Sequence, residues 1–401
     1  MSAVIGTPTQ DRPVEPVVAP PPGNLRFPLV DGLRAIAALS VLVYHTAYTS
    51  NATDAWYGPL VGRFEVGVAL FFAISGFLLY RPFFAAHYEG RPPIQARDYL
   101  RRRFLRIVPA YWLALTLLAI YPGLIGVFTG DWWIYYGFGQ VYSLDTFDFG
   151  IPPAWTLCIE VTFYLSLPFY ALALRRICRG HELRRVVRIE LAVLAALAVG
   201  SLIYRTVAIA NGPNAYYTWL PGMFDWFAAG MALAVLSVAL QARARPWAPA
   251  ELVARRPELV WLVAVAVFAL LALTVPAPSP GDTFYTKGEL FRTHVLSAVI
   301  AALVLLPAVA GGDRGGPVRR LLSWSVLAWL GLISYGIYLW HQTLMLWLVD
   351  EGALEWVPGG EFMALTALTL LLATACAAAS YYAVERPLLR LKDRRRGRRV
   401  D

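Results

Sequence analysis

Residues 258–276 read ELVWLVAVAVFALLALTVP, with Glu258 at the start as the one charged side chain among them. A helix needs about 20 mostly apolar residues to cross the hydrocarbon core of a bilayer. Nine more segments of this kind cover residues 29–47, 66–86, 107–126, 155–174, 189–209, 219–240, 290–310, 322–348 and 362–384. The sequence therefore predicts an all-α integral membrane protein, a bundle of about ten transmembrane helices.

The composition supports a membrane protein. Hydrophobic residues make up 58% of the chain and charged residues only 15%, whereas about a quarter of a soluble domain is charged. The three cysteines have neither disulfide nor zinc spacing, so we expect no metal site.

The basic residues predict the orientation of the bundle. If the N-terminus is cytoplasmic, 31 of the 35 Lys and Arg residues fall on the cytoplasmic side, which leaves Arg63, Arg205, Lys287 and Arg292 outside. This asymmetry follows the positive-inside rule and predicts that both termini are cytoplasmic. The loops also account for the net charge of +9, so we expect no nucleic-acid partner.

Three regions are expected along the chain. Residues 1–24 are Pro-rich and carry no secretory signal, which predicts a disordered cytoplasmic tail. Residues 25–387 form the membrane domain, and residues 388–401 form a basic cytoplasmic tail. The aromatic and acidic outer loop 127–154 suits a lid or sugar-stacking surface and an aromatic belt equally well.

Ionisable residues within apolar spans are costly and are candidates for function. Arg34 and His45 are eleven positions apart, so they share one helix face, about 16 Å apart along the axis. Arg34 also suits a snorkelling anchor, and His45 also suits an interfacial hydrogen-bonding residue.

Further candidates lie in four other spans. Arg103 and Arg106 share a face and can bind a phosphate, although topology anchoring is the alternative. Glu160 is interpreted as functional, whereas Ser75 with Gly76 is interpreted as a packing feature.

The ninth span carries Ser334, Tyr338 and His341 close to one face, where a packed, hydrogen-bonded histidine is an equal alternative. The arginines are predicted to be cytoplasmic, while His45, Glu160 and His341 lie toward the outside. This polarity suits a phosphorylated donor from the cytoplasm and an acceptor from outside.

Six elements, in this order, resemble the acyltransferase-3 family of integral membrane O-acyltransferases. They are Asp31-Gly32-Leu33-Arg34…His45, the run from Val66 to Phe77, Arg103-x-x-Arg106-Ile107…Pro109, Trp155…Glu160…Phe163-Tyr164, Ser334-Tyr335…Tyr338-Leu339…His341 and Glu385-Arg386-Pro387.

The resemblance implies an enzyme of the cell membrane that uses acyl-CoA, usually acetyl-CoA, as co-substrate without a permanently bound cofactor. The expected acceptor is a sugar hydroxyl of a surface glycan or of a natural product such as a macrolide. The resemblance implies that His45 is catalytic, that Arg34 is its companion, and that Arg103 and Arg106 contact the CoA phosphates. Some relatives carry a C-terminal esterase-like domain, which we expect this chain to lack.

The expected mechanism begins when neutral His45 removes a proton from the acceptor hydroxyl. Glu160 is expected to orient the imidazole or to bind the acceptor, and His341, Tyr338 or Trp155 to bind substrate at the oxyanion. The alternative function is a transporter that passes activated acyl groups across the bilayer to a separate enzyme. A structural or sensing membrane protein is the third possibility.

Overall fold

The computed structural model describes residues 27–147, 149–212, 216–241, 253, 255–278, 286–310 and 316–393. These residues form helices, turns and irregular connections, with no strand among them. The tail expected at 1–24 lies outside the described residues. Of the tail expected at 388–401, the described part continues a short helix, Arg386–Asp393.

Each apolar segment predicted from the sequence forms one long helix. In chain order these are α1 Pro28–Thr49, α2 Val66–Tyr88, α3 Ala96–Leu118, α4 Trp155–Ile177, α5 Leu183–Asn211, α6 Leu220–Gln241, α7 Pro257–Thr274, α8 Lys287–Ala310, α9 Ser325–Asp350 and α10 Glu361–Ser380.

Nine helices in the described part of the chain are long and apolar enough to cross a membrane. Helix α9 is not among the nine, although its 26 residues span about 39 Å at 1.5 Å per residue. Its hydropathy is lowered by the polar residues Ser334, Tyr338, His341 and Gln342. The all-α membrane bundle is confirmed, and the cytoplasmic position of both termini stays a prediction.

Helix α3 differs most from its predicted boundaries, because it begins at Ala96 rather than at residue 107. Hydropathy marks only the part of a helix that contacts hydrocarbon, whereas the basic segment before it is also helical. This extension places Arg103 and Arg106 on a rigid helix.

The helices pack closely where small residues face a neighbouring main chain. A Cβ atom at Gly76 of α2 would collide with the carbonyl oxygen of Phe227 in α6, and one at Gly230 of α6 would collide with that of Ala73. Small residues let membrane helices approach in this way. Helix α2 also contacts α1 and α8, and α9 packs between α1 and α10.

We expect Gly230→Leu to destabilise the bundle by at least about 1–3 kcal/mol, because the new side chain must displace the main chain of α2. Thermal unfolding in detergent measures the change as a lower melting temperature. Gly200→Leu in α5 is the matched control, since a Cβ atom there meets no heavy atom within 4 Å. Equal melting temperatures for the two variants would contradict the packing argument.

Candidate active site

Five helices surround the polar interior of the bundle. Helix α1 contacts α2 and α9, α4 contacts α2 and α3, and α3 contacts α9, so the five form a closed ring. Candidate residues from five separate segments of the sequence meet inside this ring. The site is therefore a product of helix packing, since its members come from α1, α2, α3, α4 and α9.

A pair of histidines occupies one end of the interior. His45 Nδ1 lies 2.9 Å from His341 Nε2. His341 is fully buried, and its Nδ1 lies 2.9 Å from the carbonyl oxygen of Tyr338 and 3.2 Å from that of Ile337. His45 keeps part of its surface accessible. The structure therefore places His45 where it can meet a substrate and His341 behind it.

Tyr338 links α9 to α4 and α2 within the site. Its hydroxyl accepts a hydrogen bond from Thr156 Oγ1 at 3.1 Å, and its ring packs edge-on against Phe71 with centroids 5.6 Å apart. Trp155 is half-buried beside Thr156 at the start of α4. The ring of Tyr338 also lies beside that of His341, with centroids 5.7 Å apart. Contact of Tyr338 and Trp155 with substrate stays a prediction.

Two hydroxyl groups hold Glu160. Ser75 Oγ donates to Glu160 Oε1 at 2.8 Å, and the Tyr164 hydroxyl donates to Oε2 at 2.6 Å. Ser75 thus has a polar partner in addition to the packing role inferred for it from the sequence. These bonds fix the carboxylate on α4, while the ring of His45 is hydrogen-bonded to His341. That Glu160 orients the imidazole or binds the acceptor stays a prediction.

Three arginines occupy the end of the interior opposite the histidines. Arg34, Arg103 and Arg106 are half-buried, and within the described chain none of them forms a hydrogen bond or an ion pair. Arg103 Nε is fully buried and unpaired. Guanidinium groups that have no protein acceptor in a partly buried interior are available to bind an anion.

The charges around these arginines leave the site positive. The charge of Arg34 interacts with those of Arg106, Asp31 and Glu160. The charge of Arg103 interacts with that of Arg102, and the charge of Arg106 with that of Glu385. Four cations therefore lie near three carboxylates, Asp31, Glu160 and Glu385. An excess of positive charge in a cleft with low-dielectric walls attracts anionic ligands.

A pocket of about 270 Å³ opens beside the arginine end, between α3 and α4. Arg103 and Tyr164 form part of its inner wall, and Phe104 and Leu165 are exposed at its rim. Most of its lining is apolar. It adjoins the Glu160 site through Tyr164.

The model of the acyltransferase-3 family, described as an acyltransferase domain, matches residues 27–380. The chain belongs to the acyltransferase-3 family. The family match covers all five helices of the ring and so includes both ends of the site.

Two of the curated relatives that the chain matches have names that refer to peptidoglycan O-acetylation. The chain is 27% identical over 342 residues to the peptidoglycan O-acetyltransferase OatA of Listeria monocytogenes, covering 79% of this chain and 49% of the relative. It is 26% identical over 387 residues to the YrhL protein of Bacillus subtilis, whose name assigns it the same reaction provisionally, covering 90% of this chain and 55% of the relative. The chain spans about half the length of these relatives. No solved structure matches it.

This acyltransferase-3 chain has a second polar cluster, between α5, α6 and α8, which was not predicted from the sequence. His294 Nε2 lies 2.9 Å from both carboxylate oxygens of Asp225, and Ser201 Oγ donates to Asp225 Oδ1 at 3.1 Å. Trp226 stacks on the His294 ring with centroids 4.5 Å apart. The missed signal was an ionisable residue inside each of two apolar spans. Because the carboxylate is fully bonded, we interpret the cluster as stabilising.

We expect Asp225→Ala to lower the stability of the bundle by about 3 kcal/mol, because the variant leaves buried hydrogen-bonding groups without their central partner. Thermal unfolding in detergent measures the loss. Asp145→Ala, at an exposed position in the loop before α4, is the control and should unfold like the parent protein. An unchanged melting temperature in the Asp225 variant would contradict a stabilising role.

Proposed function

We propose that this protein is an acyl-CoA-dependent O-acyltransferase of the cell membrane that acetylates a hydroxyl of a glycan or glycosylated natural product. The observation that carries the proposal is the polar interior of the five-helix ring. At one end it has three arginines that form no hydrogen bond or ion pair with the described part of the chain, and at the other end it has a partly accessible histidine.

The arginine end suits the phosphates of the donor. Coenzyme A carries three phosphate groups, and the planar guanidinium group matches phosphate geometry with paired donors. Arg103 and Arg106 face the interior from α3, and Arg34 faces it from α1. Glu160 and Glu385 lie close enough to limit the repulsion among the arginines while no ligand is bound.

The distance between the arginine end and the histidine end suits the phosphopantetheine arm of the donor. Arg34 and His45 are separated by eleven residues of one helix, or about 16 Å along its axis. A phosphopantetheine arm is a long unbranched chain that can bridge such a gap. A phosphate held at the arginines would then bring the thioester to His45, past Glu160 and Tyr338.

The proposed chemistry is direct transfer at His45. The ring accepts the proton of the acceptor hydroxyl while the oxygen attacks the thioester carbonyl. A carbon–oxygen bond forms and the carbon–sulfur bond breaks, and the departing thiolate takes the proton from the imidazolium. The products are an acetyl ester and free coenzyme A, and His45 returns to its neutral form.

The relatives support a glycan as the acceptor, since two of them are named as peptidoglycan O-acetyltransferases. For this chain we propose a sugar hydroxyl, without a choice between a surface glycan and a glycosylated small molecule. Acetyl-CoA with a panel of both acceptor types therefore tests the proposal. Transfer by the purified full-length chain supports it, whereas passage of acetyl groups into proteoliposomes without ester formation would favour a transporter.

We expect His45→Ala to lower kcat for acetyl transfer by at least about 100-fold, because the reaction loses its general base. Initial rates with labelled acetyl-CoA measure the change. His181→Ala is the matched control, since His181 lies in the connection between α4 and α5. A His45 variant with the kcat of the parent protein would exclude His45 as the base.

We expect Arg103→Ala and Arg106→Ala each to raise the KM for acetyl-CoA by on the order of 10-fold, because a hydrogen bond to a charged group contributes roughly 1.5–3 kcal/mol. Steady-state kinetics at saturating acceptor measure KM. Arg97→Ala, at an exposed position on the same helix, should leave it unchanged. Equal KM values for all three variants would mean that the donor phosphates bind elsewhere.

A further inference from the structure

The histidine pair belongs to a chain of hydrogen bonds that starts at the main chain of α9. His341 Nδ1 lies 2.9 Å from the carbonyl oxygen of Tyr338 and 3.2 Å from that of Ile337. Its other nitrogen, Nε2, lies 2.9 Å from His45 Nδ1. These three distances are sufficient to assign the protons of both rings.

The first proton is fixed by the main chain. A carbonyl oxygen accepts hydrogen bonds and cannot donate one, so the nitrogen that faces two carbonyl oxygens must carry a hydrogen. His341 Nδ1 therefore donates to the main chain. The His341 side chain is completely buried and has no surface accessible to water. A second, charging proton on a ring so buried would need an anionic partner, and the bonds of this ring are to two carbonyls and another histidine.

The second proton follows from the first. A neutral imidazole has one N–H group and one nitrogen lone pair, so His341 Nε2 must be an acceptor. Its neighbour, His45 Nδ1, must then be the donor. The single N–H group of neutral His45 is therefore at Nδ1, and Nε2 of His45 keeps a free lone pair.

We propose that His341 is a positioning residue, which holds His45 in the tautomer whose free base is Nε2. This inference rests on the proposed function, in which His45 takes the acceptor proton, and it assigns the atom that takes it. His341 would otherwise be a packing residue or a substrate contact, and its complete burial argues against direct contact with substrate.

The arrangement resembles the carboxylate–histidine pair of hydrolases in its logic, with a neutral acceptor in place of the carboxylate. When His45 Nε2 takes the proton of the acceptor hydroxyl, the Nδ1–H bond to His341 persists and stabilises the imidazolium. No proton passes to His341. A neutral partner also avoids a fixed negative charge inside the membrane, where an ionised carboxylate would be costly.

The first test is the tautomer itself, read by ¹⁵N NMR of the full-length protein labelled at histidine. The chain has five histidines, and the spectrum of His45→Ala identifies the signals of His45. We expect the parent protein to show His45 protonated at Nδ1 and unprotonated at Nε2. We expect His341→Leu to lose this pattern, because leucine offers no acceptor. A parent spectrum with His45 protonated at Nε2 would overturn the proposal.

The second test separates the hydrogen-bond acceptor from the bulk of the side chain. We expect His341→Leu to lower kcat by about 100-fold with no change in the KM for acetyl-CoA, since only the base is affected. His341→Gln supplies an amide oxygen near the position of Nε2 and should recover part of that loss. Equal kcat values for the leucine variant and the parent protein would overturn the proposal.

The two tests also separate this inference from the proposed function. The tautomer is measured in the absence of acetyl-CoA and of any acceptor sugar. The spectrum therefore tests the assignment even if the protein transfers no acetyl group. If His341→Leu does not fold, as judged by its melting temperature, the spectrum of the parent protein still decides. A correct tautomer without acetyl transfer would leave the hydrogen-bond chain intact and refute the acyltransferase mechanism.

Discussion

The free-energy cost of a charged side chain inside a membrane is the constraint on which the rest of this structure depends. Even insertion-based scales place an arginine or aspartate at the centre of a spanning helix at about 2.5–3.5 kcal/mol. The bundle meets this cost by turning its ionisable groups inward, while apolar side chains such as Phe169 and Leu165 of α4 remain exposed on its outside. Gly76 and Gly230 let α2 and α6 pack closely against each other beside this polar interior.

The two ends of the interior differ in charge. Cationic side chains gather at one end, a hydrogen-bonded carboxylate lies between, and the two histidines lie at the other end. A ligand with an anionic head and a reactive tail has one favourable orientation in such a field. The same gradient keeps the proposed base away from the arginines, whose charges would disfavour the imidazolium that forms in the reaction.

The two polar clusters of the bundle differ in how completely their groups are bonded. At the Asp225 cluster, both carboxylate oxygens are bonded to His294, and Ser201 and stacked Trp226 complete the surroundings. This network ties α5, α6 and α8 together, although His294 Nδ1 in it is buried without a partner, as Arg103 Nε is at the arginine end. The clusters differ in their charged groups. The Asp225 carboxylate is fully bonded to protein groups, whereas Arg34, Arg103 and Arg106 form no hydrogen bond or ion pair with the described part of the chain.

The sequence alone predicted the number and approximate position of the helices, because the thickness of the bilayer fixes the length of every apolar span. It also predicted that Arg34 and His45 share a face, since that relation depends only on the period of one helix. Likewise, the match of the family motifs to residues along the chain needed no coordinates. These are local properties, and each can be read within a single segment.

Only the tertiary structure decided which partner each polar group has. His45 bonds to a histidine 296 positions away, and Glu160 bonds to Ser75, which the sequence suggested only as a packing residue. Hydropathy likewise underestimated α3, whose basic first turns are helical, and gave no reason to pair Asp225 with His294. Such contacts depend on how helices are rotated and packed against each other, and the apolar pattern of a span that is buried on most sides leaves that rotation undetermined.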